Sequence, residues 1–277
     1  MAQKEFRKFS SYKIQLYLGI LDVACIFFNS ILSGYWSKSG EIFCTHQKSS
    51  YIIGCIATAL WAGTCATCMI LGFNRIIEIL FPKLSVKLFR GCRTYFWLAI
   101  PTVYMIYFAF FTNPLLFSST SYAMFFDPYV NIDRFQIPVG TPKHENISHT
   151  INNILVIAVI LIAYLCLCLI MLLKNHIDHD TNDMSYIQKQ TFIQVTIICF
   201  FKMSAAAIYV YMQFFYTPDW LVITGQITWQ TSHGVVGLIY LFLNTNMRDA
   251  VYTKIFKCWK PTTQTKPTFI RATNSKY

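Results

Sequence analysis

Residues 233–252 read HGVVGLIYLFLNTNMRDAVY, and this stretch indicates the fold class of the chain. Its apolar part is hydrophobic enough for a membrane, yet it begins at His233 and ends in the polar run from Asn244 to Arg248. Polar side chains in lipid cost free energy unless they have partners, so a helix that served only as an anchor would carry neither group. The stretch therefore predicts one helix of a transmembrane bundle with a polar interior.

The composition excludes an ordinary soluble protein. Of the 277 residues, 55% are apolar and 13% are charged, and Phe and Tyr contribute 24 and 17 residues. A soluble domain usually carries about 25% charged residues to cover its surface, so much of this chain is predicted to face lipid. A net charge of +11 would suggest nucleic acid as a partner of a soluble protein. Here the basic residues lie between long apolar runs, which indicates membrane topology and no nucleic-acid partner.

Six apolar runs are long enough to cross a bilayer, whose hydrocarbon core of about 30 Å needs a helix of about 20 residues. The first run contains Asp22 and lacks a small-x-small cleavage site, so we expect a retained helix and not a signal peptide. The predicted fold is therefore an all-α, polytopic transmembrane bundle over residues 14–244. The predicted spans are approximately 14–35, 51–74, 95–118, 151–173, 191–216 and 219–244.

The distribution of basic residues predicts the orientation. Segments 1–13, 75–94, 174–190 and 245–277 carry 18 Lys and Arg, whereas the opposite segments 36–50, 119–150 and 217–218 carry four. By the positive-inside rule, both termini are cytosolic, and the polar tail at 261–277 is predicted to be disordered. The sequon at Asn146 lies in an opposite segment, which makes Asn146 the predicted glycosylation site.

Three polar side chains lie within predicted spans, where an unpartnered charge is costly. Asp22 is interpreted either as a hydrogen-bonded packing residue or as a polar centre that repacks between two states. Lys202 is a candidate for binding an anionic ligand and, alternatively, for pairing with Asp22. His233 is expected at the floor of a ligand cavity or in a hydrogen bond of the core.

Cysteine spacing raises the question of metal or redox chemistry. Cys65 and Cys68 form a CxxC pair, and Cys166 and Cys168 form a CxC pair. Both pairs lie in apolar runs without a neighbouring His or acid, where a thiol usually packs as a small hydrophobic group. We therefore predict no metal and no cofactor. His233, with no acid near it in sequence, does not suggest an enzyme either.

A basic amphipathic run follows the last span. In residues 247–260, MRDAVYTKIFKCWK, apolar residues recur at helical spacing, basic residues occupy the other faces and Pro261 ends the run. This pattern predicts a short helix on the surface of an anionic cytosolic leaflet over residues 245–260. Cys258, among basic and aromatic neighbours, is a candidate palmitoylation site.

Three motifs together resemble the class T serpentine chemoreceptors of nematodes, which are seven-helix G-protein-coupled receptors. They are LGFNR at 71–75, TFIQVTIICFFKMSAAAIYVYMQFF at 191–215 and HGVVGLIYLFLNTNMR at 233–248. The resemblance covers nearly the whole chain from Ser11 to Arg248. It implies a chemosensory receptor in the plasma membrane of sensory neurons, with a small-molecule or peptide ligand and a heterotrimeric G protein as partners. A six-span channel or transporter subunit is the alternative.

The resemblance also implies roles for particular residues. Arg75, with Phe73 and Asn74, matches the cytosolic Arg triplet that controls activation and access of the G protein. Asn244 to Arg248 matches the polar motif that ends the last helix, and Asp22 matches an acidic residue of the second helix. Anchoring of Arg75 at the interface and capping by Asn244 are the simpler alternatives. The residues after Arg248 fit the short eighth helix.

Two departures from the family pattern are expected to matter. The six spans correspond to helices two to seven, so the first helix of the family is missing and residues 1–13 match its first cytosolic loop. Cys44 matches the position of the extracellular disulfide, but residues 117–150 contain no cysteine that could pair with it.

Overall fold

The computed structural model describes residues 10–127, 146–177, 186–215 and 217–243, together with Arg248 and Tyr252. Asn244, most of the predicted surface helix with Cys258, and the predicted tail at 261–277 lie outside these residues. The elements are α1 (Ser10–Ile26), a π-helical segment (Phe27–Leu32), α2 (Ser33–Ser39), α3 (Gln47–Leu80), α4 (Pro82–Phe89), α5 (Arg93–Phe111), β1 (Leu116–Ser118), β2 (Ala123–Phe125), α6 (Ile147–Ile177), α7 (Tyr186–Phe214) and α8 (Asp219–Leu243).

The predicted helical bundle is confirmed, and a long helix lies at each of the six predicted spans. Within the described residues, four helical stretches are long and apolar enough to cross a membrane, namely Ser10–Ser39, Gln47–Leu80, Arg93–Phe111 and Ile193–Phe214. A shorter apolar stretch, Ile147–Ala163, lies in α6. α8 falls outside the set of four because polar side chains recur along it, and several of these contact α1 and α7.

The third span is the one whose predicted limits differ most from those of the observed helix. The prediction extended to residue 118, whereas α5 ends at Phe111 and the chain continues as a small hairpin. Pro114 explains the difference, because a proline disfavours the helical conformation of the residue before it. In the hairpin, β1 and β2 are antiparallel, with Leu116 paired to Phe125 and Ser118 to Ala123. The end of the bundle that carries this hairpin is called the hairpin end, and the opposite one is called the Arg75 end.

α3 is the central helix, since it packs against α1, α5, α6 and α7. Small residues allow two of its close contacts. A Cβ on Gly54 would lie 2.2 Å from the carbonyl oxygen of Leu115, and one on Gly63 would lie 2.2 Å from the sulfur of Met105. The outer helices instead expose large apolar side chains, as expected of surfaces that face lipid, among them Val23, Phe96 and Phe110.

The π-helical segment places a backbone carbonyl where α8 can bind it. A π turn holds an extra residue, which displaces backbone carbonyls from the regular helical pattern. The carbonyl oxygen of Asn29 accepts hydrogen bonds from Gln226 Nε2 at 3.1 Å and Gln230 Nε2 at 2.8 Å. It also accepts one from Ser33 Oγ at 2.5 Å. The irregular turn of the first span is therefore attached to the last helix.

Candidate functional site

A buried charged triad joins α1, α7 and α8. Lys202 Nζ lies 3.0 Å from Asp22 Oδ1 and 2.6 Å from His233 Nδ1, and His233 Nδ1 lies 2.6 Å from the same Asp22 oxygen. The side chains of Lys202 and His233 are fully buried, and that of Asp22 is 3% exposed. From the sequence, pairing of Lys202 with Asp22 was one alternative, and His233 was singled out separately. The structure brings all three together, and it shows the pairing of Lys202 with Asp22 and a core hydrogen bond for His233.

The triad has two alternative hydrogen-bond patterns. A single ring nitrogen either carries a hydrogen, which it donates, or presents a lone pair, which accepts. When His233 Nδ1 carries hydrogen, it donates to Asp22. When it is bare, it accepts from the ammonium group of Lys202. The ion pair between Lys202 and Asp22 is common to both patterns, so the position of one proton decides which helix contact of His233 is favourable.

Aromatic rings surround the triad and exclude water from it. Lys202 Nζ lies 5.6 Å from the ring centroid of Trp61, within the range of a cation–π contact. The rings of Trp61 and Trp229 meet the ring of His233 edge to face at 5.8 and 6.4 Å. Trp61 also donates a hydrogen bond of 2.9 Å from Nε1 to Asn153 Oδ1, which links the site to α6. A charge in such surroundings is tolerated only while its partner is present.

A second polar layer lies two helical turns nearer the hairpin end. It contains Asn29, Tyr209 and Gln226, each seven residues from the triad member on the same helix. Tyr209 donates a hydrogen bond of 3.4 Å from its hydroxyl to Gln226 Oε1, and Gln226 Nε2 donates to the carbonyl of Asn29. Seven residues correspond to about 10 Å along a helix at about 1.5 Å per residue. The same three helices are therefore joined at two levels.

A cleft of about 330 Å³ opens at the hairpin end, beside this second layer. Residues of the hairpin, the end of α7 and the start of α8 form its walls. Most of its wall is apolar, and the polar residues are at its floor and rim. The lining residues are Leu115, Met124, Phe125, Phe126, Tyr209, Met212, Gln213, Thr217, Asp219 and Val222.

Three of the residues predicted to act in G-protein coupling, Phe73, Asn74 and Arg75, lie at the other end of α3. Arg75 Nη1 donates to Glu78 Oε2 at 2.8 Å, one turn along the same helix. Asn74 is buried, with its Nδ2 3.5 Å from Ser10 Oγ, and Phe73 packs against Phe89 and Trp97. The predicted contact of Arg75 with Asn244 involves a residue outside the described ranges, and the predicted role of Arg248 remains a prediction.

Asn146, the predicted glycosylation site, forms the N-terminal cap of α6. Its Oδ1 accepts a hydrogen bond of 2.9 Å from the backbone N–H of His149, and its Nδ2 donates one of 2.7 Å to the carbonyl of Asn113. The side chain is buried. A glycan on Nδ2 would have to be attached before this cap packs, so the structure adds a condition that the sequon alone did not suggest.

Some of the cysteines are buried, as the sequence predicted, and others are exposed. Cys65 and Cys68 are buried within α3, as expected of packing residues. Cys44 and Cys166 are free and exposed, while the side chain of Cys168 lies outside what the structure describes.

Sequence reasoning missed the second layer and the aromatic rings around the triad. Gln226, Gln230 and His233 recur at helical spacing and lie on one face of α8, which is a signal that the sequence did contain. Tyr209, Trp61 and Trp229 carried no such signal, because aromatic residues are abundant throughout this chain.

Comparison with known proteins agrees with the helical architecture. The sequence profile of the family described as "Serpentine type 7TM GPCR chemoreceptor Srt" matches residues 1–265. The chain is 24% identical over 249 residues to "Serpentine receptor class T-55" of Caenorhabditis elegans, a match that covers 90% of this chain and 66% of that relative. The chain thus spans less than two thirds of the length of this relative. With nearly all of its residues matched by the family profile, the chain belongs to the class T family of serpentine seven-transmembrane chemoreceptors.

Proposed function

We propose that this chain acts as a chemosensory receptor that binds a small-molecule or peptide ligand among its helices and couples to a heterotrimeric G protein. The hairpin end faces the outside, and the Arg75 end faces the cytosol together with both termini. The site of action is the plasma membrane of sensory neurons. Membership of the family and the uneven distribution of basic residues support this arrangement.

The buried triad is the observation that carries the proposal. Asp22, Lys202 and His233 fix three helices to one another at a point between the two ends of the bundle. Two hydrogen-bond patterns within one packed core are a two-state element of the kind that couples distant sites in switching proteins. A ligand that favours one pattern would change the relative positions of α1, α7 and α8.

The Arg75 end supplies the groups for contact with the G protein. Arg75 is paired with Glu78 in the same helix, and a partner that offered a better acceptor would release it. Phe73 and Asn74 hold that turn of α3 in the bundle. Asn244 and Arg248 are assigned to the same cytosolic surface by their match to the family motif.

Basal signalling tests the proposal without a known ligand. The full chain is expressed in cells that report activation of a G protein, and Lys202→Met is compared with the wild type at equal surface level. Loss of the ion pair removes the restraint on α1, so we expect basal signalling to rise by about fivefold or more. Ser204→Ala is the matched control, because Ser204 lies on the exposed face of α7.

The basal signals of the variants distinguish a receptor that couples to a G protein from a chain that does not. A rise for Lys202→Met but not for Ser204→Ala supports the receptor function. If Lys202→Met does not reach the surface, the double variant Asp22→Asn, Lys202→Met removes both charges and takes its place. Basal signalling that equals the background of untransfected cells for the wild type and every variant, at normal surface level, contradicts the proposed coupling.

A further inference from the structure

We propose that the cleft at the hairpin end binds a small, largely apolar molecule that carries a hydrogen-bond donor such as an amine, and that Tyr209 transmits its presence to the buried triad. The inference deepens the proposed receptor function and rests on it. It also moves the ligand site away from Lys202, because Lys202 is fully buried against Asp22 and His233 and does not line the cleft.

The walls of the cleft determine the size and the polarity of the ligand. A volume of about 330 Å³ lies at the lower limit of small-molecule sites, which span roughly 300–1,000 Å³. Met124 from the hairpin and Met212 from α7 provide flexible apolar surface, which adapts to ligands of different shape. Together these features favour a compact molecule with an apolar body.

The charge at the rim determines the polar end of the ligand. Asp219 is the one charged side chain among the described residues that line the cleft, and no described residue pairs with its carboxylate. Two neighbouring polar groups have partners within the chain, since Gln213 Oε1 accepts from Thr150 at 2.6 Å and the Thr217 hydroxyl donates to the carbonyl of Phe215 at 3.1 Å. A carboxylate without a partner attracts a donor or a cation and repels an anion.

Tyr209 connects the cleft to the second polar layer. Its ring lines the cleft, while its hydroxyl donates to Gln226, whose amide in turn holds the carbonyl of Asn29 in the π-helical segment. A ligand that shifts the ring therefore acts on α8 and on α1 at once. Gly225 keeps α7 and α8 close at this level, because a Cβ there would lie 3.1–3.2 Å from Ile208 and Met212.

An aromatic path continues from this layer to the triad. The ring of Tyr209 lies 5.9 Å from that of Trp229, and Trp229 lies 6.4 Å from His233, both in edge-to-face geometry. All three rings are buried, so none can turn without moving its neighbour. Tyr209 is thus a positioning residue, which acts on His233 through Trp229 and Gln226.

Binding is tested on the purified full chain in lipid nanodiscs, by shifts of its melting temperature. The probes share one ring and differ in their polar end: 2-phenylethylamine, 2-phenylethanol and phenylacetic acid. We expect the amine to bind most tightly, the alcohol less tightly and the acid not at all. Asp219→Asn should weaken binding of the amine by about tenfold, the equivalent of one charge-assisted contact, and leave the alcohol unchanged. Asp219→Glu should retain the amine.

Occupancy of the cleft is tested with a matched pair of tryptophan substitutions. Met212→Trp fills the cleft and should abolish binding of amine and alcohol. Phe215→Trp adds the same ring near the end of α7, at an exposed residue outside the cleft, and should leave binding unchanged. Equal binding of the acid, no binding of the amine, or binding that survives Met212→Trp would each overturn the proposal.

Transmission through Tyr209 is tested by a double-mutant cycle on the affinity for 2-phenylethylamine. Coupled sites affect each other reciprocally, so His233→Gln should change this affinity by about fivefold although His233 does not touch the cleft. In the background of Tyr209→Leu, which removes both the hydroxyl and the aromatic ring, the same substitution should have no effect. An unchanged effect of His233→Gln in that background would overturn the role of Tyr209.

The binding assays and the signalling assay fail independently. Binding of the amine with the expected variant pattern, but without any G-protein signal, would support the cleft and contradict the receptor function. A basal signal that rises with Lys202→Met would support the receptor function. If binding of the amine is at the same time unchanged by Met212→Trp, the proposed ligand site in the cleft is overturned.

Discussion

At the residue scale, the sequence identifies the polar members of the buried triad, Asp22, Lys202 and His233, but not all of their contacts. Each stands out in the sequence because a titratable group within an apolar span needs a partner. The pairing of Lys202 with Asp22 was one of two alternatives for Lys202, but the contact of both with His233 could not be predicted, because Lys202 and His233 lie 180 and 211 residues from Asp22 along the chain. Only the packing of α8 against both α1 and α7 brings them within hydrogen-bond distance. The shared use of one ring nitrogen is likewise a property of the folded core.

The stability of the triad provides the first prediction at this scale. Asp22→Ala leaves the ammonium group of Lys202 buried without its counter-ion and should destabilise the fold by about 3–5 kcal/mol. The double variant Asp22→Ala, Lys202→Met removes both charges and should recover most of that loss. Chemical unfolding in detergent measures both. A double variant as unstable as Asp22→Ala would mean that packing, and not charge, makes Asp22 necessary.

A glycine of α3 provides the second prediction. Gly54→Ala places a methyl group against the backbone carbonyl of Leu115, which cannot turn aside as a side chain would. We expect a loss of about 1–3 kcal/mol, typical of overpacking. Gly72→Ala lies in the same helix with nothing within 4 Å of the added Cβ, and it should stabilise the chain by about 0.5–1 kcal/mol. Thermal unfolding of both variants checks the contrast, and equal shifts would contradict it.

At the scale of elements, the sequence predicted the six long helices but not their irregular parts. Hydrophobic runs of span length indicate a helix whatever its exact hydrogen bonding, so the π turn at Phe27–Leu32 left no trace in a segment without Pro or Gly. In the structure, the amides of Gln226 and Gln230 donate to the carbonyl of Asn29 in this turn. The hairpin was hidden for a different reason, since its residues continue the apolar run of α5 and only Pro114 marks the change.

The cap of α6 provides a prediction about an element. Asn146 binds the N–H of His149 as an N-cap residue does, so Asn146→Ala should cost about 0.5–2 kcal/mol of stability. Asn146→Asp keeps the acceptor and should retain most of the cap. Since neither substitution can carry a glycan, their difference in melting temperature isolates the cap from glycosylation. Equal destabilisation by both would show that the donor bond to Asn113 is the more important one.

At the scale of the whole molecule, a bundle whose interior is polar and whose surface is apolar explains the unusual composition. Charged residues are few because lipid covers most of the surface, and two of those within the helices, Asp22 and Lys202, form the ion pair of the triad. The same reasoning applies to α8, because Gln226, Gln230 and His233 contact α1, the π-helical segment and α7. The proposed function therefore depends on contacts between helices that are far apart in sequence.

Orientation in the membrane is the last prediction. If the hairpin end is outside, Ser119→Asn, which creates an acceptor sequence with Ser121 in the turn of the hairpin, should be glycosylated in microsomes. This turn is better exposed than Asn146, so it does not depend on the packing of a cap. Adding Ser121→Ala should abolish the modification. Cys92→Asn creates an equivalent sequence with Thr94 at the Arg75 end and should stay unmodified. In a second test, a protease added outside sealed microsomes should remove tags from both termini. Modification of the Cys92 variant, or a protected N-terminal tag, would contradict the orientation that the basic residues predict.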